Sequence, residues 1–137
     1  MKAFFDSSAF VKRYVEENGS QSVDDVCREA SALGLSVICI PEIISALNRR
    51  RREKLISPGN YSLIKQTLSE DIREAVLINL TSEVIATTTV LLEKNRLRAM
   101  DAIHIACAVE WKADLFVSAD RQQLSAASQA GLKTTYV

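Results

Sequence analysis

Hydrophobic residues in this chain fall into short continuous runs that are separated by longer amphipathic stretches. A short apolar run between polar residues is typical of a strand buried on both faces, whereas apolar positions that recur every three or four residues are typical of a helix covering a sheet. The pattern predicts five strands, at residues 2–5, 35–40, 75–80, 114–118 and 132–137.

The segments between the predicted strands carry helical periodicity and helix boundary signals. Residues 7–15 predict a first helix, and Gly34 is expected to end the second, because glycine tolerates the positive φ that a helix C-terminus often requires. Pro41 and Pro58 fit the first turns of later helices. The order β-α-α-β-α-α-β-α-α-β-α-β favours an α/β fold with a parallel sheet between helices, in one domain spanning residues 1–137.

Composition places the chain among globular proteins and gives no overall attraction to polyanions. Hydrophobic residues make up 47% and charged residues 25%, and 17 basic residues balance 17 acidic ones, so any basic surface must be local. The three cysteines contain no CxxC pair, which favours reduced thiols over disulfides or zinc ligands. The N-terminus is a poor signal peptide and no apolar run is long enough to span a membrane, so we expect a cytoplasmic protein.

Four acidic residues stand where the predicted topology would collect them. Asp6, Glu42 and Asp120 each follow a predicted strand closely, and Asp101 opens the helix before the fourth strand. Ligands of open α/β sheets bind beyond the carboxyl ends of the strands. Carboxylates packed together repel one another unless a divalent cation is present. Oxygen ligands without His or Cys favour Mg²⁺ or Mn²⁺ over Zn²⁺, and favour chemistry on phosphate esters.

Each of these acids also has a purely structural interpretation. Asp6 and Asp120 fit helix N-caps, and Gln123 gives Asp120 the spacing of a capping box. Glu42 and Asp101 suit the first turn of a helix, where the dipole favours negative charge. A single acid in such a place is more often a cap than a ligand, so the functional hypothesis depends on all four meeting at one edge.

Several cations and one histidine complete the candidate chemistry. Arg49–Arg52 fan around most of a helix, so we expect a solvated helix end from which one or two side chains touch phosphate or a protein partner. His104 lies one turn after Asp101 and is expected to be packed and hydrogen-bonded rather than catalytic. A local basic rim is predicted from the cations near the acids in sequence, which are Lys12, Arg13, Arg96, Arg98 and Arg121.

Four stretches of the sequence, in order, resemble one known family. They are FFDSSAFVKRY, IPEIISALNR, RAMDAIHIACA and LFVSADRQQL, and each contains one of the four acids. With these stretches the whole chain resembles a PIN domain, and more narrowly a VapC-type toxin of bacterial and archaeal toxin–antitoxin pairs. The resemblance implies a PIN-like three-layer α/β/α fold with a parallel, roughly five-stranded sheet.

The same resemblance implies a function and a set of site residues. It implies an endoribonuclease that binds Mg²⁺ or Mn²⁺, a cognate VapB-like antitoxin that blocks the pocket, and a homodimer. Asp6 and Asp101 match metal ligands best, and Glu42 would bind metal directly or through water, or orient the attacking water. Asp120 would complete the set. Two polar positions beside the pocket match as well, Ser8 and Ser118.

Two other classes of function stay open on the sequence. One is phosphoryl transfer on an aspartate, which also places an Asp after the first strand. The phosphatase form of that class requires a second Asp where this chain has Ser8, and the receiver form requires a Lys after a late strand, whereas Lys133 lies at the start of its strand. The other is a PIN-like scaffold that binds RNA or protein without catalysis.

Overall fold

A five-stranded parallel sheet forms the middle layer of the molecule, and helices cover both of its faces. The computed structural model describes all residues from Met1 to Val137. The strands lie in the order β3-β2-β1-β4-β5, and every neighbouring pair is parallel. Their bounds are β1 Lys2–Phe5, β2 Ala32–Ser36, β3 Val76–Ile78, β4 Leu115–Ser118 and β5 Lys133–Tyr136.

Seven α-helices connect the strands. A turn of 3₁₀ helix, Val11–Arg13, follows the first of them. None of the helices combines the length and the apolar character needed to cross a membrane. The bounds of the helices are α1 Ser7–Phe10, α2 Ser20–Glu29, α3 Cys39–Arg52, α4 Pro58–Glu74, α5 Ser82–Lys94, α6 Ala99–Trp111 and α7 Arg121–Gln129.

The central strand β1 serves both hydrophobic cores. Because successive strand residues point to opposite faces, Ala3 and Phe5 pack with the layer of α1 to α4, whereas Phe4 packs with the layer of α5 to α7. Phe4 stacks on Phe116 of β4 in the second core, with ring centroids 5.9 Å apart. Burial on both sides explains why the first run of the sequence is continuously apolar.

The direction of winding reverses between β1 and β4. The chain moves from β1 outwards to β2 and β3, then crosses to the other side of β1 to form β4 and β5. In doubly wound sheets, the crevice at the carboxyl ends of the two strands beside such a reversal is the usual ligand site. The residue after β1, Asp6, lies here, and its backbone N–H donates to the carbonyl oxygen of Val117 at 3.1 Å.

The strand count, the parallel direction and the order of elements confirm the prediction, but two local boundaries were wrong. The second strand lies at Ala32–Ser36 rather than 35–40, and Gly34 lies inside it instead of ending a helix. The predicted helix 7–15 is the short α1 followed by 3₁₀ helix. This position of the strand requires a glycine, because the ring of Trp111 packs against it and a Cβ there would lie only 2.4 Å from Cζ3 of that ring.

We expect Gly34→Ala to destabilise the protein by about 1–3 kcal/mol, because the new methyl group overpacks the contact with Trp111. Urea denaturation measures the change. Gly59→Ala in α4 is the matched control: a Cβ there meets nothing within 4 Å, so it should be neutral or slightly stabilising. Equal stability of the two variants would contradict this account of β2.

Candidate metal and catalytic site

The carboxylate of Asp6 is the most enclosed of the four predicted acids. Its residue is 1% exposed, and it directly follows β1. The Ser118 hydroxyl at the end of β4 donates to Oδ2 at 2.7 Å, and the Ser8 hydroxyl donates to Oδ1 at 2.8 Å. The backbone N–H of Ala9 donates to Oδ1 at 3.0 Å, so Asp6 also caps α1. Both serines predicted to lie beside the pocket therefore contact the first acid.

A glutamine amide links Asp6 to Asp101. Nε2 of Gln123, on α7, donates to Oδ2 of Asp6 at 2.8 Å and to Oδ1 of Asp101 at 3.2 Å. Gln123 is 3% exposed, and its Oε1 is buried without a hydrogen-bond partner. The structure thus brings two of the predicted acids to one donor at the reversal point of the sheet.

Asp101 and Asp120 line a common cavity of about 480 Å³ at this edge of the sheet. Arg96 and Arg98 line the same cavity, so it carries both signs of charge. Asp120 is the N-cap of α7 and accepts hydrogen bonds from the backbone N–H groups of Gln122 and Gln123. Its capping interpretation is therefore confirmed, and its carboxylate lies in the cavity as well.

Glu42 is held by partners of its own. It lies in the first turn of α3, where its Oε1 is 2.5 Å from Nε2 of His104 and accepts a hydrogen bond from the Ser7 hydroxyl at 2.7 Å. His104 is 1% exposed, as expected for a packed histidine, and its Nδ1 is buried without a partner. Glu42 shares no hydrogen-bond partner with the other three acids, although its charge contributes to the raised pKa of Asp101.

Burial and charge give the acids different titration behaviour. Burial raises the pKa of Asp6, although the charge of His104 and the hydrogen bonds that Asp6 accepts oppose the rise. Burial also raises the pKa of Asp101, and the carboxylate of Asp120 raises it further. Burial alone would raise the pKa of Glu42, but the hydrogen bond and charge of His104 reverse this and lower it. Glu42 is thus the most readily ionised of these three.

The oxygen atoms of the four acids and the nearby serines are suitable ligands for a hard divalent cation, but the side chains are not arranged around a common ion position. Oxygen atoms of carboxylates and hydroxyls are the ligands that Mg²⁺ and Mn²⁺ prefer. No three of the His, Cys, Asp and Glu side chains are arranged to hold a metal ion, and the amide of Gln123 lies between the two closest acids. Metal binding at the four acids therefore stays a prediction.

Two residues of this region were not predicted to take part. From the sequence, His104 is expected to be a packed histidine, and Gln123 is expected to be a capping-box partner of Asp120. The signals were in the sequence, since His104 follows Asp101 by one turn and Gln123 lies in the first turn after Asp120. Their contacts with Glu42 and Asp6 join residues more than 60 positions apart, which local pattern cannot show.

The predicted basic rim is only partly correct. Arg96 and Arg98 line the cavity of Asp101 and Asp120, as expected. Lys12 instead donates to backbone carbonyls of the chain, among them that of the last residue, and Arg13 pairs with an aspartate of α4. Arg121 lies over the ring of Tyr136, 4.0 Å from its centroid. The contacts of Lys12 and Arg13 therefore stabilise the fold rather than line the pocket.

In metal-free buffer, Asp101→Asn is expected to raise the free energy of unfolding at neutral pH. A carboxyl whose pKa is raised in the folded state destabilises it when ionised. The gain should shrink as the pH falls through the raised pKa and vanish below the ordinary value of 3.8, where the carboxyl is protonated in both states. Thermal denaturation across this pH range measures it.

Asp114→Asn is the control for that experiment. Asp114 lies at the opposite edge of the sheet, where it accepts a hydrogen bond from the backbone N–H of Lys2 at 2.7 Å. This variant should show no gain at neutral pH. An Asp101→Asn protein less stable than the unsubstituted protein at neutral pH would contradict the electrostatic account.

Comparison with solved structures finds the same fold in several proteins. The sarcin–ricin loop cleaving toxin VapC20 of Mycobacterium tuberculosis is 14% identical, with a TM-score of 0.71 over 98% of this chain and 99% of that one. VapBC2 of Rickettsia felis, bound to a promoter DNA fragment, is 10% identical, with a TM-score of 0.70 over 100% of this chain and 99% of that one. FitAcB of Neisseria gonorrhoeae is 12% identical, with a TM-score of 0.69 over 96% of this chain and 95% of that one. At these identities the similarity is one of fold.

Sequence comparison assigns the family. No curated protein matches the chain. The family model of the PIN domain matches residues 3–129, a span that contains all four predicted acids. This match covers nearly the whole chain and agrees with the fold, so the chain belongs to the PIN domain family.

Proposed function

We propose that this protein is a Mg²⁺- or Mn²⁺-dependent endoribonuclease and the toxin of a toxin–antitoxin pair. Hydrolysis of RNA phosphodiesters would take place at Asp6, Asp101, Asp120 and Glu42. The observation that carries the proposal is the shared contact of Asp6 and Asp101 with Gln123, at the reversal point of a PIN-family sheet. A structural neighbour with this fold is a toxin that cleaves the sarcin–ricin loop.

The two linked acids are the proposed centre of the metal site. Asp6 and Asp101 would hold the ion, with Asp120 completing the set and Glu42 binding directly or through water. The raised pKa of Asp101, caused by burial and by the other carboxylates, is the electrostatic cost that a cation would remove. When bound, the ion would neutralise negative charge on the phosphate and activate a water molecule for attack.

The chain itself supplies an ionised carboxylate and phosphate contacts. Glu42 has a lowered pKa, so it is ionised, and its Oε1 is held by Ser7 and His104. Its other oxygen, Oε2, would bind the metal or orient the attacking water. Arg96 and Arg98 are exposed in the cavity of Asp101, where guanidinium groups can bind phosphate oxygens of the RNA.

A protein partner belongs to the same proposal. Structural neighbours of this chain include VapBC complexes that were crystallised with DNA. Leu55 and Leu63 are 67% and 64% exposed and line one groove, and large exposed apolar side chains mark interaction surfaces. We propose a VapB-like antitoxin, a homodimer of this chain, and a cytoplasmic location.

Asp6→Asn together with Asp101→Asn is expected to reduce Mn²⁺-dependent cleavage of RNA by about 100-fold or more. Both substitutions remove negative charge from the proposed metal ligands, and loss of even indirect partners of a metal costs about 10–100-fold. Gel analysis of end-labelled RNA with Mn²⁺, and with a chelator, measures the rate.

The control is Asp114→Asn, which also removes one aspartate charge but at the far edge of the sheet. It should keep full activity, and circular dichroism should show all variants folded. Asparagine at position 6 retains an oxygen that can accept the N–H of Ala9, so the cap of α1 survives. Undiminished cleavage by the double variant would refute the proposed site.

A binding scaffold without catalysis is the second candidate. Asp6 is already satisfied by three side-chain and backbone partners besides Gln123, so its burial does not require a cation. Isothermal titration with Mn²⁺ separates the candidates: binding lost in the Asp101→Asn variant supports the nuclease, and absence of binding favours the scaffold. An aspartyl-phosphate mechanism is disfavoured because Asp6 is 1% exposed.

A further inference from the structure

The four arginines at the end of α3 divide into two that are engaged and two that are free. Arg50 pairs with Glu17, with Nη2 and Oε2 3.5 Å apart. Arg51 lies over the ring of Tyr61, 4.6 Å from its centroid. Arg49 and Arg52 are exposed and take part in none of the ion pairs, cation–π contacts or side-chain hydrogen bonds of the molecule.

The two free arginines lie on the same face of α3 as Glu42. Positions 42, 45, 49 and 52 follow the three-and-four spacing of one helix face. Together with Met100 at the start of α6, these residues line a cavity of about 420 Å³. One of the proposed catalytic acids therefore opens onto a surface whose only cations are Arg49 and Arg52.

This cavity and the one that holds Asp101 both reach the first turn of α6. Met100 lines the first cavity and the next residue, Asp101, lines the second, which also contains Arg96 and Arg98. Each cavity thus combines at least one of the proposed catalytic acids with a pair of arginines. A strand whose phosphates cross the acids can therefore meet guanidinium groups in both cavities.

We propose that Arg49 and Arg52 bind the phosphate backbone of the RNA on the α3 side of the cleavage site. The inference rests on the proposed function, because it takes the acids as the point of cleavage. Guanidinium groups present a planar fork that matches phosphate, and unpaired arginines lose no existing contact when phosphate binds. RNA is favoured over an acidic protein segment because the cavity is continuous with the proposed catalytic Glu42.

The test is the salt dependence of RNA binding. Each phosphate contact with a single strand contributes about 0.7 to the slope of log affinity against log salt concentration. Fluorescence anisotropy with a labelled single-stranded RNA, in an Asp101→Asn background that prevents the proposed cleavage, measures this slope. The test variant is Arg49→Gln with Arg52→Gln. The control is Arg28→Gln with Arg51→Gln, which removes the same charge from residues engaged elsewhere.

The test variant should lose about 1.4 from the slope, twice the contribution of one contact. Between 50 and 200 mM salt, the affinity of the background protein should then fall about sevenfold more than that of the test variant. The control should keep the background slope. Equal slopes in the two double variants overturn the proposal, and intact RNA binding with lost binding of a partner protein assigns the arginines to that partner instead.

The two proposals fail separately in this design. If Mn²⁺-dependent cleavage by the unsubstituted protein is absent but the slope falls only in the test variant, the nuclease function is wrong and the RNA-binding surface stands. If cleavage is present and the slopes are equal, the nuclease function stands and the role of Arg49 and Arg52 is refuted.

Discussion

The carboxylate of Asp6 is the group on which the arrangement of the carboxyl edge depends. A buried carboxylate is costly unless hydrogen bonds or opposite charge compensate it, and removal of its partners leaves an unsatisfied charge. Here the donors come from different elements: Ser8 and Ala9 of α1, Ser118 of β4 and Gln123 of α7. Each of these elements must be in place for the acid to be buried, so the fold and the site specify one another.

The same donors shape what the site can bind. The amide of Gln123 is shared between Asp6 and Asp101, which are otherwise two carboxylates facing each other at short range. Burial raises the pKa of Asp101, and the carboxylates of Asp120 and, less strongly, Asp6 raise it further. Glu42 has a separate arrangement with His104 and stays ionised. The edge therefore has one part that favours added positive charge and one part that retains an ionised carboxylate.

Sequence alone predicted the elements that local pattern controls. The continuous run before Asp6 identified the central strand. Parallel order then predicted Asp6, Glu42 and Asp120 at one edge, with Asp101 within reach of it at the start of the helix before the fourth strand. It misplaced the second strand, because it took Gly34 for a helix end, whereas this glycine makes room for the ring of Trp111, a contact 77 positions away that local pattern does not show. The partnership of His104 with Glu42 depends on how α3 and α6 lie across the sheet, and no periodicity encodes it. The set of four acids predicted the metal and chemistry on phosphate esters, and the family resemblance added RNA as the substrate.

We propose that Asp6 and Asp101 form the core of a cation site at the reversal point of the sheet. Anomalous diffraction from crystals grown with Mn²⁺ tests it most directly, because it locates the ion without reference to activity. The account predicts a single strong peak in contact with the carboxylates of Asp6 and Asp101, with the amide of Gln123 moved out of its contact with them. Crystals with Mn²⁺ bound only at other residues, or with the Gln123 amide still between the two acids and no peak beside them, would contradict it.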